Sequence, residues 1–217
     1  AAQSGGDAAQ YAIHVKGLEA PLHDPRAYPS LAVAYATANR GCCHLESHSF
    51  AIDRKKMKLG AVEIQINAGE LGWPPEKVER LSFEGKADIA AKTQDLVGMN
   101  NALCICNFSY FTYGVQAHNY VNWLNAVTGW DVTWEEYMRT GERLFNLKRL
   151  FNLRRGLSSK DDTLPQRFLT RRPEVGDAET VPPSFPALLQ EYYALRGWTR
   201  EGVPTPEKLA ELGLPPD

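Results

Sequence analysis

Residues 133–155, TWEEYMRTGERLFNLKRLFNLRR, carry the pattern that decides the fold. Thr133 stands three residues before Glu136, and a Thr and a Glu at this spacing form the capping box that opens many helices. Apolar side chains then recur at the spacing of one helical face, and the pattern stops before Gly156. This face comprises Tyr137, Leu144, Leu147, Leu150 and Phe151. The stretch therefore predicts one long amphipathic helix.

Further helices are predicted on both sides of this stretch. The same periodicity and end signals indicate helices over 30–41, over 86–106 (KADIAAKTQDLVGMNNALCIC), over 115–127, over 184–196, and from Thr205-Pro206-Glu207 onward. Glycines and prolines predict mostly loop over 51–75 and mostly irregular chain over 156–183. Residues 12–18 are expected to form a short extended segment. The predicted fold class is therefore all-α and multihelical, with long irregular connecting loops and little or no strand.

Charge and hydropathy exclude several classes of partner. The 217-residue chain has a formal net charge of −2, whereas nucleic-acid and polybasic membrane binding need a concentrated positive field. Its sequence contains no apolar run near the roughly 20 residues that span a bilayer, and no secretory leader is recognised. The four cysteines fall in two tight groups, which suits a reducing compartment better than a disulfide framework. A cytoplasmic protein that binds neither nucleic acid nor membrane is expected.

Five segments, in order along the chain, resemble the C-terminal part of the aldehyde:ferredoxin oxidoreductase family. They are HVKGLEAPLHDPR (14–26), AYATANRGCCHL (34–45), NALCICNF (101–108), GERLFNLKRLFNLRRGLSSKDDTLPQRFL (141–169) and EYYALRGWTREGVPTPEKLAELGL (191–214). The resemblance implies that 11–217 form the C-terminal helical domain of such an enzyme. Residues 1–10 are then a linker, or a remnant of a longer protein. The family's N-terminal pterin-binding and middle cluster-binding domains are not found in this sequence.

The resemblance also implies a set of cofactors for the parent enzyme. Members of the family bind tungsten or molybdenum between two pyranopterins, beside a [4Fe-4S] cluster. Three cluster cysteines belong to a C-x-x-C-x-x-x-C motif that is not found here, and the fourth lies in a D-x-x-G-L-C segment that also contacts a pterin. That segment falls on Asn101-Ala102-Leu103-Cys104-Ile105-Cys106, which makes Cys106 the implied cluster ligand and Cys104 an alternative.

The matching segment departs from the family pattern at two positions. Asn101 replaces the acidic residue, and an amide offers one acceptor oxygen where a carboxylate offers two. Cys104 replaces the glycine, and its side chain could crowd the cluster. Asn101, Cys104 and Ile105 are nevertheless the implied pterin contacts. A cysteine at the end of an apolar helix can also be an inert core residue.

Two further residues are candidates for the site. The resemblance places His44 near the reacting oxygen, where an imidazole can act as acid or base, although a lone histidine is often structural. Arg40 could bind a pterin phosphate or carbonyl, or could simply complement a helix C-terminus. His48, four residues after His44, makes a zinc pair conceivable, but no accompanying Glu pattern supports it. The basic pairs Lys148-Arg149 and Arg154-Arg155 are interpreted as a solvated face or as loop anchors.

The function implied by the resemblance is oxidation of aldehydes to carboxylates. Electrons would leave through the pterin and the cluster to ferredoxin, and the remaining domains of the parent enzyme and a homodimer mate are further expected partners. The isolated chain is expected to be inactive and to bind no cofactor. One alternative is a non-aldehyde reductase of the same family, resembling benzoyl-CoA reductase. The other is a non-catalytic helical binding or assembly module.

Overall fold

The computed structural model describes residues 11–66, 68–170, 181 and 184–215, and this part of the chain is predominantly helical. Its helices are α1 (Pro29–Thr37), α2 (Phe50–Arg54), α3 (Lys86–Ala102), α4 (Phe108–Phe111), α5 (His118–Thr128), α6 (Trp134–Arg154), α7 (Gln166–Thr170), α8 (Phe185–Leu195) and α9 (Pro206–Leu212). Two antiparallel hairpins accompany them, β1 (His14–Val15) with β2 (Leu18–Glu19) and β3 (Lys56–Leu59) with β4 (Val62–Gln65). The predicted all-α class is confirmed.

The predicted helix-start signals form as hydrogen bonds. The Thr133 hydroxyl accepts a hydrogen bond from the Glu136 backbone N–H at 3.1 Å and opens α6, which ends at Arg154 before Gly156. In the same way, the Thr205 hydroxyl accepts one from the Lys208 backbone N–H at 3.2 Å, with Pro206 in the first turn of α9. Both helices therefore begin where their local sequence specifies a cap, because these bonds satisfy backbone N–H groups that have no partner within the helix.

The prediction of loop over 51–75 was wrong in part. This region contains most of α2 and the hairpin β3–β4, in which Lys56 pairs with Gln65 and Met57 with Ile64. Its signal is an alternation of charged and apolar residues on either side of Gly60, where φ is +60°. The segment 156–183 contains the short helix α7, and residues 171–180 and 182–183 lie outside the described part, as does the predicted linker 1–10.

Helix α3 lies at the centre of the molecule and packs most extensively against α6, with further contacts to α1 and α8. The axes of α3 and α6 come close where two glycines meet, since a Cβ atom built on Gly98 would lie 3.5 Å from the Gly141 carbonyl oxygen. Every residue of α1 is buried, as expected of a helix that is apolar on all sides. Within the described ranges, no helix has both the length and the apolar character to cross a bilayer.

A buried charge cluster joins the C-terminal region to the rest of the fold. The Asp162 carboxylate forms ion pairs with Lys16 at 2.7 Å and Arg149 at 2.8 Å, and accepts a hydrogen bond from the Tyr193 hydroxyl at 2.7 Å. Arg149 is therefore buried, so the solvated-face alternative was wrong for it, whereas its pairing with Asp162 in the loop after α6 agrees with the loop-anchor alternative. A guanidinium can be buried here because its charge is paired and hydrogen-bonded.

A second buried ion pair fixes the short helix α2. The Lys86 ammonium lies 2.5 Å from the Asp53 carboxylate, and both side chains are almost fully buried. Asp53 also accepts hydrogen bonds from the backbone N–H and the hydroxyl of Ser30. The starts of α1 and α3 are thereby tied to α2, which has only five residues and would not be stable without such contacts.

Candidate functional site

The predicted cluster-ligand segment forms a tight turn, which we call the cysteine turn (residues 101–107). Helix α3 ends at Ala102, four residues earlier than predicted, in a Schellman motif. The Ile105 N–H donates to the Asn100 carbonyl at 2.8 Å, and the Cys104 N–H donates to the Asn101 carbonyl at 3.2 Å. Cys104 therefore occupies the left-handed position of the motif, with φ of +57°.

This geometry gives a physical reason for the family's glycine. A left-handed backbone costs glycine almost nothing, whereas it costs other L-residues on the order of 1 kcal/mol. Cys104 adopts it because the two bonds of the Schellman motif close the helix end. The N–H of Ile105 is used in the same motif, so any contribution of Ile105 to a ligand would come from its carbonyl or side chain. Both Cys104 and Cys106 are exposed free thiols.

A chain of amide hydrogen bonds braces the cysteine turn against α6. The Tyr137 hydroxyl donates to the Asn100 side-chain oxygen at 2.8 Å, and the Asn100 amide donates to the Asn107 side-chain oxygen at 3.1 Å. The Asn107 amide in turn donates to the side-chain oxygen of Asn101 at 3.0 Å. The one acceptor oxygen of Asn101 is thus used inside the turn, so Asn101 differs from a carboxylate and would offer a ligand mainly N–H groups.

The backbone of Cys106 is also fixed. Its carbonyl oxygen accepts from the Ser109 hydroxyl at 2.6 Å and from the Ser109 backbone N–H at 3.0 Å. That hydroxyl lies 2.5 Å from the Tyr120 hydroxyl on α5. Burial, more than any other cause, raises the pKa of Tyr120, so its hydroxyl keeps its proton and remains able to form this bond near neutral pH. The Cys106 thiol therefore extends from an anchored backbone.

Three histidines pack together at the start of α2, and we call them the histidine stack (His23, His44 and His48). The His23 ring lies edge-to-face against His44, with centroids 4.5 Å apart, and stacks on Phe50 at 4.1 Å. His44 lies 5.9 Å from His48, and His48 stacks on Phe111 at 5.2 Å. The stack therefore ends against an aromatic ring from α2 and one from α4.

The histidine stack and the cysteine turn are brought together through α4. The His48 ring lies 5.8 Å from the ring of Phe108, which is two residues beyond Cys106. Phe108 itself is half exposed. Two candidates separated by 62 positions in the sequence, His44 and Cys106, are therefore linked through the rings of His48 and Phe108.

His44 and His48 are held in their uncharged forms. Burial, together with the nearby His23, lowers the pKa of His44 to about 4. Burial, followed by the charges of His44 and His23, lowers the pKa of His48 to about 4. An uncharged imidazole has one nitrogen that donates and one that accepts. At neutral pH His44 can therefore accept a proton, as a general base must.

Arg40 lies at a different place from the cysteine turn. It is exposed and lines a surface groove of about 400 Å³ between the 39–46 segment and the end of α6, together with Asn39, Glu46, Leu147, Lys148, Phe151 and Asn152. The groove is adjacent to the 3-10 turn His44–Glu46, which carries His44. Neither of the exposed cysteines lines it. The assignment of Arg40 to a pterin stays a prediction.

The described residues alone do not form a metal centre. Among them, no group of three or more His, Cys, Asp or Glu side chains is placed to hold a metal ion. A pair of ligands such as His44 and His48 falls below that number, so the zinc pair stays a prediction. The assignment of Cys106 as one thiolate ligand of a cluster also stays a prediction.

Comparison with known proteins identifies the family of the chain. The family model described as "Aldehyde ferredoxin oxidoreductase, domains 2 & 3" matches residues 1–214. The chain belongs to the aldehyde ferredoxin oxidoreductase family. It is 36% identical over 206 residues to a tungsten-containing aldehyde ferredoxin oxidoreductase of Pyrococcus furiosus, which covers 94% of this chain and 31% of that protein. The chain therefore spans about a third of the length of the curated relatives it matches.

A more distant sequence match and a structural match extend the comparison. The WOR-like subunit of an aliphatic sulfonate oxidoreductase from Pyrococcus furiosus is 25% identical over 221 residues, with 97% of this chain and 29% of that subunit covered. The BamBC active-site complex of benzoyl coenzyme A reductase shares the fold, with a TM-score of 0.66 and 20% identity over 99% of this chain and 34% of that chain. The C-terminal fold of the family is thus found in proteins named for different reactions.

Sequence reasoning did not identify every residue of this region. His23 was quoted only as part of a matching segment, yet its ring is the one closest to His44 within the stack. Phe108 connects the two halves of the site and was not considered. The only sequence signal for either residue is its place inside a segment that resembles the family, because no spacing rule connects residues on separate loops.

Proposed function

We propose that this chain is the C-terminal domain of a tungsten- or molybdenum-bispyranopterin, [4Fe-4S] oxidoreductase that oxidises aldehydes to carboxylates and passes the electrons to ferredoxin. The observation that carries the proposal is the approach of an uncharged histidine stack to a turn with an exposed, anchored cysteine. Family membership supports an oxidoreductase reaction. The proposed aldehyde substrate and ferredoxin partner are taken from the printed names of the relatives.

In the proposed enzyme, a bound metal–pterin group and a cluster would supply the two-electron and one-electron redox chemistry, and this chain would supply residues that hold and orient them. Cys106 would supply one thiolate to that cluster, and the anchoring of its backbone by Ser109 would keep the sulfur in place. Asn101 and Arg40 would bind polar edges of a pterin through N–H groups. The other cluster ligands would come from the rest of the protein, so the isolated chain would bind no cofactor and would be inactive.

The stoichiometry of the proposed reaction defines a role for His44 as a proton acceptor. An aldehyde and one water yield a carboxylate, two electrons and three protons. The water oxygen bonds to the carbonyl carbon and must lose its protons as that bond forms. The imidazole of His44 would accept one of them, since burial lowers its pKa to about 4 and so leaves it uncharged, with an acceptor nitrogen, at neutral pH. The same low pKa makes it a weaker base than a free imidazole. Access to solvent, which His44 retains in part, would allow the proton to leave.

The test uses the protein that contains this chain, purified without oxygen, with metal analysis, iron analysis and a dye-linked aldehyde assay. Tungsten or molybdenum together with about four irons is expected, as is aldehyde-dependent dye reduction. Cys106→Ser should lower iron content and activity together. Its matched control, Cys104→Ser, alters a thiol on the same turn and should keep the iron. A parent protein without metal, or a Cys106→Ser variant with full iron, would refute the proposal.

A second candidate is a reductase of the same family that acts on a substrate other than an aldehyde. The common fold with the benzoyl coenzyme A reductase complex favours it, as do the two departures from the family segment, at Asn101 and Cys104. An amide in place of a carboxylate alters the hydrogen bonds offered to a pterin and thereby its reduction potential. The dye-linked assay distinguishes the candidates. A reductase would oxidise reduced dye in the presence of an aromatic thioester and would not react with aldehydes.

A further inference from the structure

His48 combines three features that a purely structural histidine does not need. Its backbone is left-handed, with φ of +52°, although it is not glycine. Its side chain is 2% exposed, yet its ring nitrogen Nδ1 has no hydrogen-bond partner. Its ring lies between two others, against His44 at 5.9 Å and Phe111 at 5.2 Å. A strained backbone and an unsatisfied buried nitrogen each cost free energy, and such costs concentrate at functional sites.

The other end of the stack is equally constrained. The carbonyl oxygen of His23 accepts a hydrogen bond from the buried Tyr35 hydroxyl at 2.9 Å, which fixes its backbone. Its ring is stacked on Phe50, the first residue of α2, and α2 is fixed by the buried pair of Asp53 and Lys86. His23 therefore meets the face of His44 from a position that the fold determines.

We propose that His23 and His48 are positioning residues, which contact the His44 imidazole and hold it in one orientation and in its uncharged form. The proposal rests on the placement of His44 in the proposed reaction. Edge-to-face contacts with His23, His48 and Phe50 restrict rotation of the His44 ring, as aromatic pairs do in protein cores. A charge on any one ring disfavours a charge on the next, because like charges about 6 Å apart repel strongly in a buried setting.

The charged groups around the stack are consistent with this role. Arg54 on α2 is a cation, and after burial its charge is the second cause that lowers the pKa of His23. The neighbouring carboxylates are each paired with a cation, namely Asp24 with Arg26, Glu46 with Lys148 and Asp53 with Lys86. α4 contributes aromatic rings to the stack. The surroundings therefore favour uncharged imidazoles.

Imidazole nitrogen NMR spectra of this chain, recorded as a function of pH, test the proposal without any cofactor. Each of the five histidines reports its tautomer and its titration. His44 and His48 are each expected to show one tautomer at pH 7 and to titrate well below 6.5. His23→Phe and His48→Phe keep an aromatic ring of similar size. Each should raise the titration midpoint of His44 and allow both of its tautomers to appear. His14→Phe, on the exposed hairpin β1–β2, is the matched control and should leave His44 unchanged.

The outcomes separate this proposal from the proposed reaction. A wild-type His44 that exchanges between tautomers and titrates near 6.5 overturns the positioning role, whatever the parent enzyme catalyses. The same holds if His23→Phe and His48→Phe leave its signals as in the control. Conversely, the expected spectra would support the positioning role even if the parent protein lacked metal. In that case only the proposed reaction would be refuted. A variant that does not fold is recognised by its methyl spectrum, and the wild-type titration then decides.

Discussion

Substitution of Gly141 tests whether the crossing of α3 and α6 sets the position of the cysteine turn. A Cβ atom added at Gly141 would lie 2.0 Å from the backbone oxygen of Asp95 and 2.7 Å from its carbonyl carbon, both on α3. Non-bonded carbon atoms need about 3.5 Å, so the helices would have to move apart by about 1 Å or more. Gly98→Ala is the matched control, because its Cβ would meet the Gly141 carbonyl oxygen at an ordinary 3.5 Å.

The two substitutions should change stability in opposite directions. Overpacking at Gly141 costs about 1–3 kcal/mol, and more where the obstacle is backbone. The better helix propensity of alanine offsets about 1 kcal/mol of this cost. Displacement of Asp95 would also weaken its buried contact with Arg196, where the guanidinium donates to the carboxylate at 2.5 Å. The net expectation is a loss of about 2 kcal/mol for Gly141→Ala and a gain of up to about 1 kcal/mol for Gly98→Ala.

Urea unfolding followed by circular dichroism measures both values, with thermal unfolding as a second probe. A loss of about 2 kcal/mol corresponds to a Tm that falls by roughly 4–8 °C in a chain of this size. Equal stability of the two variants, or a Gly141→Ala variant at least as stable as wild type, would refute the close crossing. A shifted environment of the Cys106 thiol in Gly141→Ala, with an unshifted one in Gly98→Ala, would connect the crossing to the cysteine turn.

Three further predictions concern the site and its support. Cys104→Gly should be more stable than Cys104→Ala by about 1 kcal/mol in urea unfolding. Both variants remove the thiol, but only glycine removes the strain of the left-handed backbone, where φ is +57°. Equal stabilities would contradict the turn geometry. Because the folded pKa of His48 is about 4 and the unfolded one is near 6.5, its contribution should be fully present above pH 6.5 and decline as the pH falls toward 4. Between pH 6.5 and 5 the free energy of unfolding should therefore fall by roughly 2 kcal/mol more for wild type than for His48→Phe. Urea midpoints that change in parallel for the two proteins across that range would contradict this prediction. Lys86→Met should destabilise the chain by about 3–5 kcal/mol by leaving the buried Asp53 carboxylate unpaired. The double variant Lys86→Met/Asp53→Asn should recover part of that loss. A double variant no more stable than Lys86→Met would show that the unpaired charge is not the cause.

The sequence predicted the long helices because their signals are local. Thr133 and Thr205 begin α6 and α9 through hydrogen bonds to residues three positions away. Both partners of each bond therefore lie within one short stretch of sequence. The hairpin β3–β4 was missed because nearby glycines suggested a loop. The alternation of charged and apolar residues that is typical of strands was nevertheless present in its sequence. The end of α3 was placed four residues late, since cysteine at a left-handed position gives none of the signal that glycine gives.

The sequence by itself determined the helical class, the helix caps and the family, and through the family it singled out His44 and Cys106. Only the tertiary structure decided that these two are linked through the rings of His48 and Phe108, that His23 and His48 contact His44, and that Arg149 is buried against Asp162. The physical reason is the range of the interactions. Caps and periodicity act over three or four residues, whereas ring stacking and buried ion pairs depend on which distant segments α3 brings together as the core packs.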